Sequence, residues 1–197
     1  MSYCLIVIFL ILLIWNIRLY IEFPETMIVS NVDGEEYSVK KNYTNTQTAS
    51  DILARLNYIN TTIIEHMEKK YSDTVHSSDI AFLAGNYNGD VLSEHTPRGP
   101  VNTSFVVNKG DSIKLCLRSP HTKKFHDFNT LVFVNLHELS HLLDRKWGHG
   151  KSFWTGFQFV LQEAVELGLY KEVDYEKHPA KYCGIVIKNS PLYRDYT

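Results

Sequence analysis

Residues 137–154 read HELSHLLDRKWGHGKSFW. His137 and His141 stand four apart, and on a helix residues at that spacing share a face, with Cβ atoms about 5–6 Å apart. Two imidazoles so placed can both reach one tetrahedral zinc ion at about 2.0–2.1 Å. Glu138 lies one helical step round, beside such an ion rather than on it. A carboxylate there can take a proton from metal-bound water and pass it to a leaving amine. A third ligand must come from further along. His149 is the first candidate, because Gly148 can stop the helix and turn the chain back, and Gly150 lets the backbone pass close to a metal. Glu163, on the following helix, is the second candidate. It is alternatively a residue that orients a ligand histidine, as Asp144 is. Asp144 also reads as a solvated helix charge.

Working outward, Leu131, Val132, Val134, Leu136, Leu139, Leu142 and Leu143 carry one helix through the motif, with Asn129 or Thr130 as its N-cap. A second helix opens near Ser152 and runs to about Leu167, ending at Gly168. Phe153, Phe157, Val160, Ala164 and Leu167 form its core stripe, with Glu163 at the edge. Upstream, Ser104–Val107 and Ser112–Leu117 flank a turn containing Gly110 and read as a β-hairpin, with Ile113, Leu115 and Leu117 on one face. Ile80–Ala84 reads as a strand before a turn at Asn86–Asp90. Ile52 to Met67 repeat at helical spacing as far as Lys70. The tail has one β-like run, Tyr182–Ile187. Tyr182 or Tyr175 there is a candidate hydrogen-bond donor to a tetrahedral oxyanion.

The first 23 residues are of another kind. From Tyr3 to Ile21 the chain is apolar but for Asn16 and Arg18, which meets the roughly 17–25 residues a bilayer crossing needs. A single-pass anchor is the expectation, with its topology undecided because Arg18 is the one basic residue before Lys40. A cleaved signal and a buried helix remain alternatives. The expected organisation is an anchor over 1–23, a stem or linker over 24–48 and one domain over 49–197.

A net charge of −2 supplies no bulk attraction for nucleic acid, and none is expected as a partner. Of three cysteines, Cys4 lies in the apolar segment. Cys116 and Cys183 either pair or stay as buried thiols. There is no CxxC, so a cysteine-based zinc ribbon is excluded. His66, His76, His95, His121, His126 and His178 lack ligand spacing and receive no role.

HELSH followed by GHGKSFW resembles the SprT-like and WLM zinc metallopeptidases, and the compact plan is similar to that of members encoded by large DNA viruses. The resemblance covers about residues 100–170. It implies one zinc ion per chain on His137, His141 and His149, with Glu138 as catalytic base and a protein or peptide as substrate. It also implies an α+β, zincin-like fold: a small mixed sheet packed on the HExxH helix, with a second helix behind. With the N-terminal segment, the expectation is a membrane-anchored metallopeptidase touching the bilayer through residues 3–21. Two alternatives stand beside it: a zinc-binding structural membrane protein without turnover, and a SprT-like protease acting on nucleic-acid-bound proteins.

Overall fold

The computed structural model of the chain describes residues 5–14, 24–97, 103–108 and 110–194. Its centre is a five-stranded mixed sheet in the order β1-β2-β3-β5-β4. The strands are β1 (Glu25–Val29), β2 (Glu36–Lys40), β3 (Leu92–Glu94), β4 (Phe105–Val107) and β5 (Ser112–Leu115). The outer pairs, β1–β2 and β4–β5, are antiparallel, and the inner pairs, β2–β3 and β3–β5, are parallel. The helices are α1 (5–14), α2 (Thr46–Lys70), α3 (Ser77–Asn86), α4 (Phe128–Leu143) and α5 (Lys151–Glu166). A separate hairpin, β6 (Ala180–Tyr182) and β7 (Ile185–Ile187), follows α5.

The α+β expectation and the mixed sheet hold. The helix that lies on the sheet is another one, however. α2 packs on β1, β2 and β3 and also touches α3, α4 and α5, while α4 reaches the sheet through β4. Its buried stripe, Leu53, Leu56, Ile63 and Met67, is the spine of the core. α2 meets α4 through two fully buried amides: Asn60 Nδ2 donates to Asn135 Oδ1 at 3.2 Å, and Asn135 Nδ2 returns the bond to Asn60 Oδ1 at 2.6 Å. Each otherwise costly buried amide thus satisfies the other.

A second buried polar link ties the helix start to the sheet. Arg118 Nε donates to Glu94 Oε1 at 2.8 Å, and its other nitrogens reach the carbonyls of Thr44 and Asn45. Glu94 Oε2 accepts the Lys40 backbone N–H at 2.8 Å. Both ends of the pair are buried, so each charge depends on the other.

Several expectations are corrected. Residues 24–48 are not a stem: they supply β1, β2 and the first residues of α2. Each strand has five residues; they pair with each other, and it is the pairing of β2 with the distant β3 that joins them to the rest of the sheet. Ile80–Ala84 is helical, within α3, where Ile80 and Leu83 share the buried face. The residue capping α4 is Asp127, whose carboxylate accepts the Thr130 N–H at 3.0 Å. The β4–β5 hairpin forms as expected, with Ile113, Leu115 and Leu117 all buried.

The N-terminal expectation reaches the described residues only at 5–14, a helix whose side chains are all exposed; the rest of 1–23 lies outside them. Among the described residues no helix is long and apolar enough to cross a membrane.

Candidate metal centre

α4 ends at Leu143, and the chain runs through a loop to α5 at Lys151. Gly148 in that loop has φ +88°, a left-handed turn that a Cβ disfavours. Asp144 staples the loop: Oδ1 accepts the Lys146 N–H at 3.1 Å and Oδ2 the Ser152 hydroxyl at 3.4 Å. The loop so held delivers His149 to the helix face carrying His137 and His141. Gly150 plays no close-approach role, since a Cβ on it would meet nothing within 4 Å; it is the N-cap of α5.

One ring nitrogen from each of His137, His141 and His149 lies within 4.8 Å of the other two. His137 Nε2 and His149 Nε2 are 3.0 Å apart. Ligands at about 2.0–2.1 Å in a tetrahedron are separated by about 3.3 Å, close to the His137–His149 spacing, so the donor set fits a zinc ion. The rings are packed against aromatic side chains: His141 stacks on Phe153 at 4.3 Å between centroids, and Phe157 meets His137 edge-on at 5.1 Å. Burial, then the neighbouring His141 and His149, pushes His137 down to about 3. Partial desolvation lowers His149. Both are therefore neutral near pH 7, the form that binds metal.

Glu138 is buried beside this cluster, and burial pushes its carboxyl up to about 8. A dication on the adjacent imidazoles would pull it back down. Glu138 lines two cavities shared with His137 and His149. One, of about 240 Å³, is bounded by Ser104, Phe105 and Val106 and by the 146–149 loop. The other, of about 550 Å³, extends towards β7. A larger cavity of about 760 Å³ opens between α3 and α5, on the other side of the loop, and holds none of these groups.

The remaining predicted residues separate clearly. Glu163 belongs to a different cluster. Its carboxylate accepts from Tyr71 Oη at 2.8 Å and Lys70 Nζ at 3.0 Å and lies 3.2 Å from His66 Nε2. It fastens α5 to α2 and lies outside the three-histidine group, which removes it as the third-ligand alternative. Tyr175 is in the core against Phe133 at 4.8 Å. Tyr182 lines the 550 Å³ cavity with His137 and Glu138, and its hydroxyl lies 2.6 Å from Ser104 Oγ.

Sequence reasoning missed four participants. Ser104 touches both cavities and also accepts the Cys116 N–H at 3.0 Å. Trp154, and Phe157 of the expected core stripe, line the 550 Å³ cavity. His126 packs against Tyr182 at 4.9 Å, and its Nε2 accepts the Cys183 N–H at 3.2 Å. A serine opening a strand and a histidine outside any motif carry no local signal. Cys116 and Cys183 form a disulfide, with Cα atoms 6.3 Å apart, which resolves the choice between pairing and free thiols.

Comparison with known proteins places these residues in context. The family model of the WLM domain matches residues 84–189, which include all three histidines and Glu138. An uncharacterized protein of Acanthamoeba polyphaga mimivirus is 44% identical over 101 residues, 51% of this chain and 51% of its own length. One from Invertebrate iridescent virus 3 is 45% identical over 67 residues, 34% of this chain and 42% of the relative. The matches thus span about half or less of these relatives. The crystal structure of Wss1 from Saccharomyces cerevisiae superposes with a TM-score of 0.48 at 20% identity, covering 66% of this chain and 90% of that one.

Proposed function

This chain belongs to the WLM domain family, and from that premise we propose that it is a zinc-dependent metallopeptidase with Glu138 as general base and His137, His141 and His149 as ligands. The observation that carries the reading is the convergence of three imidazole nitrogens at a cavity that also holds a buried glutamate.

Zinc bound there supplies a water whose pKa is lowered towards about 7 and a Lewis acid for the scissile carbonyl. The chain's own residues do the rest. Glu138 accepts the proton on its carboxylate and returns it to the departing amine nitrogen. β4 is one of the two edge strands of the sheet, and its residues Phe105 and Val106 border the cavity. An extended peptide can add to that edge by backbone hydrogen bonds. Ser104 Oγ accepts from Cys116 N–H; by donating its own hydrogen to Tyr182 Oη it leaves the phenol hydrogen free for a developing oxyanion.

The test is zinc content and proteolysis of the full chain. One equivalent of zinc, lost in His149→Ala and kept in Glu138→Gln, with proteolysis lost in both, is the expected result. Retained proteolysis in Glu138→Gln would sink the mechanism. An unchanged biological role for Glu138→Gln with zinc bound would favour a structural protein. The ten exposed apolar residues of α1 support a second, separate element of the proposal, contact with lipid through residues 3–21. Flotation of the full chain with liposomes, lost on deleting 1–23, checks it.

A further inference from the structure

The 550 Å³ cavity is continuous with the proposed reaction site, since His137, Glu138 and His149 form one end of it. Its lining is mixed: Thr103, Ser104, Lys188 and Asn189, none of them buried, bring polar groups, and the apolar part comes from three places. α4 contributes Phe133 and Val134, α5 contributes Trp154 and Phe157, and β7 contributes Ile185 and Ile187. Phe157 and Phe133 are buried and make a closed floor, whereas Ile185, Ile187 and Trp154 are only half-buried and Val186 is 45% exposed. Apolar surface left open around a cavity of this size, beside a polar reaction site, has the character of a ligand pocket.

The β7 wall is held in place by a set of ties unrelated to the metal. Tyr182 pairs with Ile185 across a two-residue turn, and both turn residues, Cys183 at φ 45° and Gly184 at φ 88°, are left-handed. That is the turn that suits a tight hairpin. Cys183 is then anchored to Cys116 by the disulfide and to His126 by its N–H, and Tyr182 is anchored to Ser104. A hairpin that packs apart from the main sheet is thereby fixed at the side of the reaction site.

We propose that this cavity, walled by β7 on one side and by Phe133 and Phe157 below, is the specificity pocket, and that it takes a large apolar side chain of the substrate residue next to the cleaved bond. The proposal rests on the metallopeptidase reading. The occupant follows from continuity with the site and from the buried part of the lining: against Phe133, Val134 and Phe157 a charged or small polar side chain would lose hydration without a partner at that depth.

The test uses the full chain loaded with zinc and two hydroxamates alike except for their side chain, one leucine-type and one glycine-type, with dissociation constants read by calorimetry. The leucine-type compound is expected to bind about ten- to hundredfold more tightly, the range for burying one leucine side chain. Ile187→Trp, which fills the pocket, brings the ratio near one while zinc content stays at one equivalent, showing the metal site intact. Ile187→Ala, which widens it, shifts the preference towards a phenylalanine-type compound. Equal binding of the two compounds by the parent, or an unchanged ratio in Ile187→Trp, overturns the pocket and leaves the metallopeptidase reading standing. A folded chain that takes up no zinc, or holds zinc and binds neither compound, overturns both.

Discussion

Glu138 and Glu163 are two buried glutamates that sequence spacing offered as neighbours of one metal, and the structure gives them different work. Glu138 faces a cavity beside three imidazoles. Glu163 is consumed by Tyr71, Lys70 and His66. Their variants should therefore diverge. Glu138→Gln is expected to keep zinc and to lower peptide cleavage by about 10²–10⁴-fold, the usual worth of a positioned general base. Glu163→Ala is expected to keep zinc and any activity per folded molecule but to cost about 1–3 kcal/mol of stability, because Tyr71 loses its acceptor; urea unfolding with elemental analysis of the same sample distinguishes the two. The HExxH spacing made His137, Glu138 and His141 legible, since three residues on one helical turn need only local geometry. Glu163 was misplaced because helix periodicity places a residue on a face without saying what that face meets.

The elements show the same division. α4, α5 and the β4–β5 hairpin could be read from their patterns, because 3.6-residue and two-residue repeats are written into the chain locally. β1, β2 and α3 could not. IAFLAG carries too few residues to separate a short helix from a short strand, and it is α3's packing on α2 and α4 that makes it helical. β1 and β2 become strands of the sheet through β3, more than fifty residues away. The polar link that closes this arrangement is Arg118 with Glu94, joined to the start of α2. Arg118→Met strands a buried carboxylate and is expected to destabilise the fold by about 3–5 kcal/mol. Replacing both partners with apolar residues should cost much less. Denaturant melts of the two variants decide whether the pair holds the α2–sheet junction or merely sits in it.

Across the molecule, the proposed site is assembled from parts far apart in the chain: the edge strand near residue 104, the motif helix, the loop bearing His149 and the hairpin at 180–187. The disulfide closes one of these long connections, joining residues 67 apart. By the chain-entropy account such a bridge is worth about 4 kcal/mol. Cys183→Ser is expected to lower stability by about that much, and mild reduction of the parent should reproduce the loss. Because the bridge holds Tyr182 and β7 rather than the histidines, zinc content should change little in either case. Thermal melts and zinc analysis with and without reductant test this, and loss of zinc on reduction would show that the hairpin supports the metal site directly.

The amino-acid order alone was enough for the helix face of the candidate metal site, since His137, Glu138 and His141 share a helix turn, and it offered His149 and Glu163 as candidates for the third ligand. It was also enough for the amphipathic helices, whose period is a local property. The tertiary structure alone decided that 24–48 belongs to the sheet, that α2 rather than α4 carries it, that Glu163 serves the core, and that Cys116 and Cys183 lock a hairpin beside Glu138. Each of these depends on which distant surfaces meet. Pairing and packing partners are chosen by the summed burial of the whole chain, which no short window of residues records.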